Sequence, residues 1–377
     1  MTPRAGKSRS SASGPAKTPL VVVCAGGGGV GKTTTSAALA LALARQGRTT
    51  LIVTIDPARR LAGAMGVPIG DVVTQVALPD TGGRLFALMP DPRTSMRTFV
   101  DELFVDQPAA KAHLLANRLF VELSDAAAGV HELVAMNLIA GAAAGGRFEV
   151  VVIDTAPSRH AIDFVTYPGR LAALLGGRTI AWLAGVAERA TDRAPSTGAL
   201  SWGVGRIESL LARVTGPHLL GDTASLFGDL ARVRERFVAL TQHAANLLLG
   251  DRTAYVLVVA PTAAARDDAV YLHDRLDKLG RKPHAIVMNR GDVAAASYVR
   301  ILRETAGISP SLLDAIGILE QERATRGRAA AAFSAELEKA LPKLPIVRLP
   351  FIEAVAPDDV MMALALELRE HVETLLP

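Results

Sequence analysis

The sequence predicts an α/β fold in which a mostly parallel sheet is flanked by helices, with an α-helical subdomain inserted in the chain. Two observations predict this fold. Short apolar runs alternate with helical patterns along the chain, which is typical of a parallel sheet covered by helices. Several of these runs are nearly continuous Val, Ile and Leu, as expected for strands that are buried on both faces.

The pattern predicts a single domain over residues 19–377, after a basic tail at residues 1–18 that we expect to be disordered. The predicted strands are Leu20–Cys24, Thr50–Thr54, Leu85–Met89, Glu149–Ile153, Ala254–Val259, Ala285–Met288 and Ile346–Leu349. The predicted helices include Lys32–Arg45, Ala264–Leu279 and Val360–Leu375. Two stretches, about 91–148 and 161–250, have helical spacing without strand-like runs, and we expect helical insertions there.

Composition and charge narrow the classes of function. Half of the 377 residues are hydrophobic, which is enough for a large core, and the net charge is +4. The tail alone carries four cations and no acid, so the rest is neutral and nucleic acid is not an expected partner. The only cysteine, Cys24, excludes an internal disulfide. Without an apolar span or secretory h-region, we expect a cytoplasmic protein that reaches a membrane only through a partner.

The strongest motif begins where the first predicted strand ends. Residues 26–33, GGGGVGKT, fit G-x-x-x-x-G-K-[ST], and the motif opens a predicted helix. In such a loop, converging backbone amides and the helix N-terminus bind phosphate, a lysine reaches the β and γ phosphates, and a hydroxyl ligates Mg²⁺. Lys32 and Thr33 are those two residues here. We expect the nucleotide to contact Gly28, Gly29, Val30, Gly31, Lys32, Thr33 and Thr34.

Two aspartates follow later predicted strands. In TIDPARRLAGAMG, Asp56 is a candidate for orienting the water that attacks the γ phosphate. An equally good interpretation makes Asp56 a helix N-cap with Pro57 at the first helical position. In VVVIDTAPSRHAIDF, Asp154 ends a strand as a Walker B carboxylate does, so Thr33 and Asp154 are the candidate Mg²⁺ ligands.

Residues near the C-terminal strands are candidates for binding the base. Asn289 follows the run AIVM at the sheet edge where ligands bind, and its amide can pair with the edge of adenine. The alternative is an asparagine that only turns the chain. In RLPFIEAVAP, Pro350 and Phe351 offer an apolar wall for the same base.

With these motifs in place, the sequence resembles the anion-transporting ATPase family, which includes the arsenite-pump ATPase and the ATPase that targets tail-anchored membrane proteins. The resemblance rests on GGGGVGKTTTSAALALALA, TIDPARRLAGAMG, DTAPSRHAIDF and VMNR, in that order, with RLPFIEAVAPDD in support. It implies a Mg²⁺-dependent ATPase that works as a dimer around its nucleotides. By position, Asp56 matches the water-activating carboxylate, and Asp154 with the loop through Pro157 matches the second switch. Asn289 matches the adenine-reading asparagine.

The sequence departs from the family pattern at Gly27. The family places there a lysine that crosses the dimer interface to the partner's nucleotide, whereas a bacterial sub-branch pairs a lysine-bearing protein with a companion that lacks it. We therefore expect either a homodimer or a heterodimer with a lysine-bearing paralogue. A single cysteine excludes the paired zinc ligands and the metalloid-sensing thiols of relatives, so no zinc is expected.

The leading interpretation is an ATPase whose turnover rearranges the helical subdomain for a hydrophobic or membrane-protein client. One alternative is a nucleotide-binding regulatory half whose partner alone turns over ATP. Another is a positioning ATPase of the MinD and ParA type, for which VMMALALELREHVETLLP would have to be a membrane helix. A small-molecule kinase also remains, because phosphate can pass to an acceptor other than water.

Overall fold

The structure is a computed structural model of the 377-residue chain. The residues that it describes are 18–55, 60–77, 82–126, 128–156, 217–292, 309–353 and 356–376.

An eight-stranded sheet forms the centre of the molecule, in the order β3-β4-β2-β5-β1-β6-β7-β8. The strands are β1 (Leu20–Ala25), β2 (Thr49–Thr54), β3 (Thr74–Val76), β4 (Arg84–Leu88), β5 (Val150–Asp154), β6 (Thr253–Val259), β7 (Ala285–Met288) and β8 (Ile346–Arg348). All neighbours pair in parallel except β3, which runs antiparallel to β4 at the edge. The four central strands β2, β5, β1 and β6 are almost completely buried, in keeping with their apolar sequences.

The predicted fold class is confirmed for the parallel sheet with flanking helices. The seven predicted strands lie within one residue of their observed ends. The strand β3 was missed, because three residues at a sheet edge, of which Thr74 and Gln75 are exposed, carry no apolar run. The predicted division into domains stays a prediction.

Helix α1 (Lys32–Arg45) lies directly behind the glycine-rich loop and is buried almost throughout. Its sequence alternates Ala and Leu without a polar face because it is covered on both sides, by the sheet and by the C-terminal helix Pro357–Arg369. That helix buries Met361, Leu364, Ala365 and Leu368. A segment considered above as a membrane helix therefore uses its apolar side to cover α1.

Eleven further helices lie in the described parts of the chain. They are α2 (Arg60–Met65), α3 (Pro92–Leu103), α4 (Pro108–Ala116), α5 (Arg118–Ala126), α6 (Ala128–Ala144), α7 (Pro217–Arg232), α8 (Arg234–Leu248), α9 (Ala263–Lys278), α10 (Pro310–Ala340), α11 (Pro357–Arg369) and α12 (Val372–Leu375). The predicted helix Val360–Leu375 is thus divided into α11 and α12. Helix α11 begins three residues earlier than predicted, since Pro357 is well suited to its first turn.

A second hydrophobic core lies among α3, α4, α6, α7 and α8, separate from the core around the sheet. The aromatic rings of Phe99 and Phe237 meet edge to face in it, with centroids 6.0 Å apart. Helices α3 to α8 therefore form a helical layer. Within the described part of the chain, we find no helix that is both long and apolar enough to cross a membrane.

A half-buried histidine at the start of β7 makes the fold sensitive to acid. Nδ1 of His284 accepts a hydrogen bond of 3.3 Å from the backbone N–H of Tyr255, so the ring must be unprotonated at that nitrogen. Burial, and then the charge of Arg281, lower the pKa of His284 from its ordinary value of 6.5.

We therefore expect this contribution to the free energy of unfolding to be complete above about pH 6.5 and to be lost as the pH falls, because the unfolded chain binds the proton more readily. Urea unfolding at several pH values between 8 and 5, with His284→Asn as the variant, measures it. Asparagine keeps an acceptor but does not titrate, so the variant should lose less stability in acid. The exposed His243, changed to Asn, is the control, and an acid loss equal in both variants would contradict the prediction.

Candidate nucleotide-binding site

The glycine-rich loop joins β1 to α1 and leaves the start of the helix open to a ligand. The N-cap residue, Gly31, has no side chain to accept from the first N–H groups of α1, and the first turn holds no acidic residue. By contrast, Asp91 caps α3, and Thr262 caps α9, each through side-chain hydrogen bonds. The uncapped N–H groups and the positive end of α1 favour an anion such as phosphate.

Gly31 and Asn289 fix the end of this loop against the sheet. Gly31 has a φ of 83°, in the left-handed region, and a Cβ at this position would overlap the side-chain amide of Asn289. That amide donates a hydrogen bond of 2.9 Å to the carbonyl of Val30. The structure thus places Asn289 directly against the loop, and its proposed contact with adenine stays a prediction.

Asp154 lies fully buried at the end of β5, next to the start of α1. One carboxylate oxygen accepts a hydrogen bond of 3.0 Å from the Thr54 hydroxyl at the end of β2. The other lies 3.3 Å from the Ser36 hydroxyl of α1, which is also 2.9 Å from the Lys32 carbonyl. Asp154 therefore connects β2, β5 and the first turn of α1, which carries Lys32 and Thr33.

The cysteine beside this aspartate is not a reactive thiol. Cys24 pairs with Asp154 in the sheet register and is completely buried. Burial raises the pKa of its thiol to about 12, so almost none of it is thiolate at neutral pH. Cys24 therefore acts as a small core residue.

The side chains at the start of α1 suit a Mg²⁺ ion. The Thr33 hydroxyl and the Asp154 carboxylate supply the oxygen ligands that Mg²⁺ prefers, and both belong to elements that Ser36 ties together. Lys32, only 4% exposed, lies in the same first turn. The donor set therefore fits Mg²⁺ bound together with a polyphosphate, and the roles of Thr33 and Asp154 as its ligands stay a prediction.

Gly27 is buried against the first turns of α9. A Cβ at this position would overlap the carboxylate of Asp268, so the loop as it stands has no room for a side chain unless Asp268 moves. The obstacle is the end of a flexible side chain rather than backbone. A lysine at position 27 would therefore have to displace the Asp268 side chain.

The loops that follow β7 and β8 lie side by side at the same edge of the sheet. The N–H of Gly291 donates to the carbonyl of Leu349, at 2.7 Å. Pro350 and Phe351 follow directly, and Phe351 is 38% exposed. The structure thus brings both close to the Asn289 loop, whereas Asp56 and Pro157 lie outside the described residues.

Sequence reasoning found the loop but missed the residues that position it. Ser36 and Thr54 hold the Asp154 carboxylate from two different elements, and Asp268 fills the space beside Gly27. None of the three belongs to the phosphate-loop motif. Of these residues, only Ser36 could have been found from the sequence. It stands four residues after Lys32, so both lie on the same side of the predicted helix.

A mostly parallel sheet that carries a G-x-x-x-x-G-K-[ST] loop between its first strand and first helix defines the P-loop NTPase fold. Comparison with known sequences shows a similarity to one family. The profile of the family described as "Anion-transporting ATPase" matches residues 20–190. Over this part of its sequence the chain is similar to that family.

Individual relatives are similar over part of their length. "ATPase get3" of Aspergillus terreus is 32% identical over 34% of this chain and 37% of its own. "Arsenical pump-driving ATPase" of Acidiphilium multivorum is 27% identical over 60% of this chain and 37% of its own. "ATPase GET3" of Mycosarcoma maydis is 26% identical over 66% of each chain. The match thus spans between about one third and two thirds of these relatives.

Replacing Gly31 by alanine tests the loop geometry. We expect Gly31→Ala to weaken ATP binding by at least about tenfold, because the Cβ displaces the Asn289 amide from the loop. Calorimetric titration with ATP measures the loss.

Gly280→Ala is the matched control, because Gly280 also has a positive φ, of 70°, but has open space around it. Both variants carry a left-handed strain of about 1–2 kcal/mol. Equal ATP affinity in the two variants would show that the contact with Asn289 does not shape the site.

Proposed function

We propose that the protein is a Mg²⁺-dependent ATPase that works as a dimeric switch. The observation that carries the proposal is the Ser36 hydroxyl, which lies within hydrogen-bond distance of both the Lys32 carbonyl and the Asp154 carboxylate. It joins the start of the phosphate-loop helix to the strand end that carries the second candidate metal ligand. The family and its ATPase relatives support the same activity.

In this proposal each residue has one role. Uncapped N–H groups of the loop and of α1 bind the phosphates, and Lys32 holds the charge on the β and γ phosphates. Thr33 and Asp154 hold Mg²⁺, which when bound neutralises charge on the phosphate oxygens. Asp56 orients the attacking water, a role that rests on its place in the sequence because it lies outside the described residues.

The dimer in this proposal is a heterodimer with a lysine-bearing paralogue. Gly27 is where the resemblance places the lysine that serves the opposite site, and the Asp268 carboxylate occupies that space here. The chain's own site keeps Lys32, Thr33 and Asp154. In this heterodimer the partner's lysine would reach the nucleotide of this chain, whereas no lysine from this chain would reach the nucleotide of the partner.

The client of the switch is a hydrophobic segment, held by the helical layer. A groove of about 530 Å³ lies between α3, α4 and α5. Leu115 and Val121, which line it, are 40% and 47% exposed, and Met96 and Phe120 lie beside them. The same groove is also lined by charged residues, namely Arg93, Arg97, Asp101 and Lys111. It therefore suits a helix with one apolar face and one polar face.

Phosphate release from ATP tests the activity. We expect turnover that requires Mg²⁺ and that falls by about two to three orders of magnitude in Lys32→Ala, since the lysine stabilises charge on the transferred phosphoryl group. Asp56→Asn should retain ATP binding and lose turnover. The exposed Lys278, changed to Ala, is the control for loss of a cation. Unchanged turnover in Lys32→Ala, with the lysine-bearing partner present, would contradict the proposal.

The role of Gly27 is tested with the chain alone and with its paralogue. We expect low turnover alone and an increase of about tenfold or more with the paralogue, because a second cation then reaches the site. Gly27→Lys should raise the turnover of the chain alone. Gly27→Ala, which displaces Asp268 in the same way without adding charge, should not. A wild-type homodimer as active as the mixed dimer would show that no partner lysine is needed.

A further inference from the structure

A buried carboxylate in the loop after β7 has no part in the ATPase proposed above. Asp292 stands three residues beyond Asn289 and is only 1% exposed. A carboxylate that is buried to this degree is costly unless charged or polar groups surround it. The groups that contact the Asp292 carboxylate therefore show which elements this loop connects.

Each oxygen of the Asp292 carboxylate binds a different element. Oδ1 accepts a hydrogen bond of 3.1 Å from the backbone N–H of Phe351, the residue proposed as a wall for the base. Oδ2 accepts a charge-assisted hydrogen bond of 2.9 Å from Nε of Arg326 on α10. Arg348, at the end of β8, donates to the Asp292 carbonyl at 2.7 Å.

The arginine held by Asp292 also covers the ring of Phe351. The guanidinium carbon of Arg326 lies 5.0 Å from the ring centroid, within the range of a cation–π contact. Phe351 as a whole is 38% exposed. One face of the ring thus has a cation over it, while the residue stays accessible to a ligand.

Hydrogen bonds of the Asn289 and Asp292 side chains link the loop that carries Phe351 to the phosphate loop. Asn289 contacts Val30 of the loop, and the Asn289–Asp292 turn runs beside Leu349–Phe351. Residues 310–326 of α10 include no buried residue, and the first buried residue of this helix is Gly327. Arg326 therefore stands directly before the point where α10 reaches the core. The hydrogen bonds of Asp292 therefore connect α10 to Phe351 at the point where the helix meets the core.

We propose that Asp292 and Arg326 are positioning residues that hold the Phe351 ring as the stacking wall for the nucleotide base. This inference rests on the proposed ATP site and concerns its base-binding half. Asp292 fixes the backbone of Phe351 and the guanidinium together. Arg326 then keeps the ring in one orientation, so that less side-chain freedom is lost when a flat base stacks on it. Both act on the base only through Phe351.

The test separates the base from the phosphates by calorimetric titration with ATP and with inorganic tripolyphosphate. We expect the wild type to bind ATP more tightly than tripolyphosphate. Arg326→Gln should weaken ATP binding by about tenfold and leave tripolyphosphate binding within about twofold. Asp292→Asn keeps an acceptor for the Phe351 N–H but loses the charge that holds Arg326, so it should show the same selective loss.

Arg323→Gln is the matched control, since Arg323 is an exposed arginine one turn earlier on α10, and both affinities should stay unchanged. Equal weakening of ATP and tripolyphosphate in Arg326→Gln would show a general structural defect and overturn the inference. Equal wild-type affinity for the two ligands would also overturn it, while the phosphate site stands. A wild type that binds neither ligand would overturn the ATP site as well.

Discussion

The site depends on one buried interaction, the carboxylate of Asp154 between Thr54 of β2 and Ser36 of α1. A fully buried carboxylate needs hydrogen-bond donors on every side, and here those donors come from two other elements. The Thr155 side chain adds a hydrogen bond of 2.9 Å to the Cys24 carbonyl of β1. Three strand ends and the first turn of the phosphate-loop helix are thereby held in one arrangement, so the loop is positioned before any nucleotide arrives.

The sequence predicted the elements whose signal is local. Strands β1, β2, β5 and β6 are continuous apolar runs because they are buried on both faces, and the phosphate loop is a motif of eight consecutive residues. Helix α10 was not singled out, since its first half buries no residue and shows no clean apolar stripe. The polar contacts of the site were also out of reach. Ser36 and Asp154 lie 118 residues apart, and Asn289 and Val30 lie 259 apart.

The two ends of the proposed nucleotide site are built by different means. At the phosphate end the backbone does most of the work, through uncapped N–H groups and a left-handed glycine, so the motif alone predicts the chemistry. At the base end the proposed wall is one aromatic ring, held by a buried aspartate and an arginine from a distant helix. No short motif describes that arrangement, because its members come from three separate segments.

The position of Asp268 gives Gly27 a physical meaning beyond the absence of a lysine. Because the Asp268 carboxylate fills the space beside Gly27, a residue with a side chain there must first move that carboxylate. The loop therefore accommodates a glycine where it faces α9. Lys32 and Asp154 are present where the nucleotide is proposed to bind. A protein that had lost only its own catalysis would be expected to lose these residues first. Their retention beside Gly27 favours a subunit that hydrolyses ATP with a cation supplied from outside the chain.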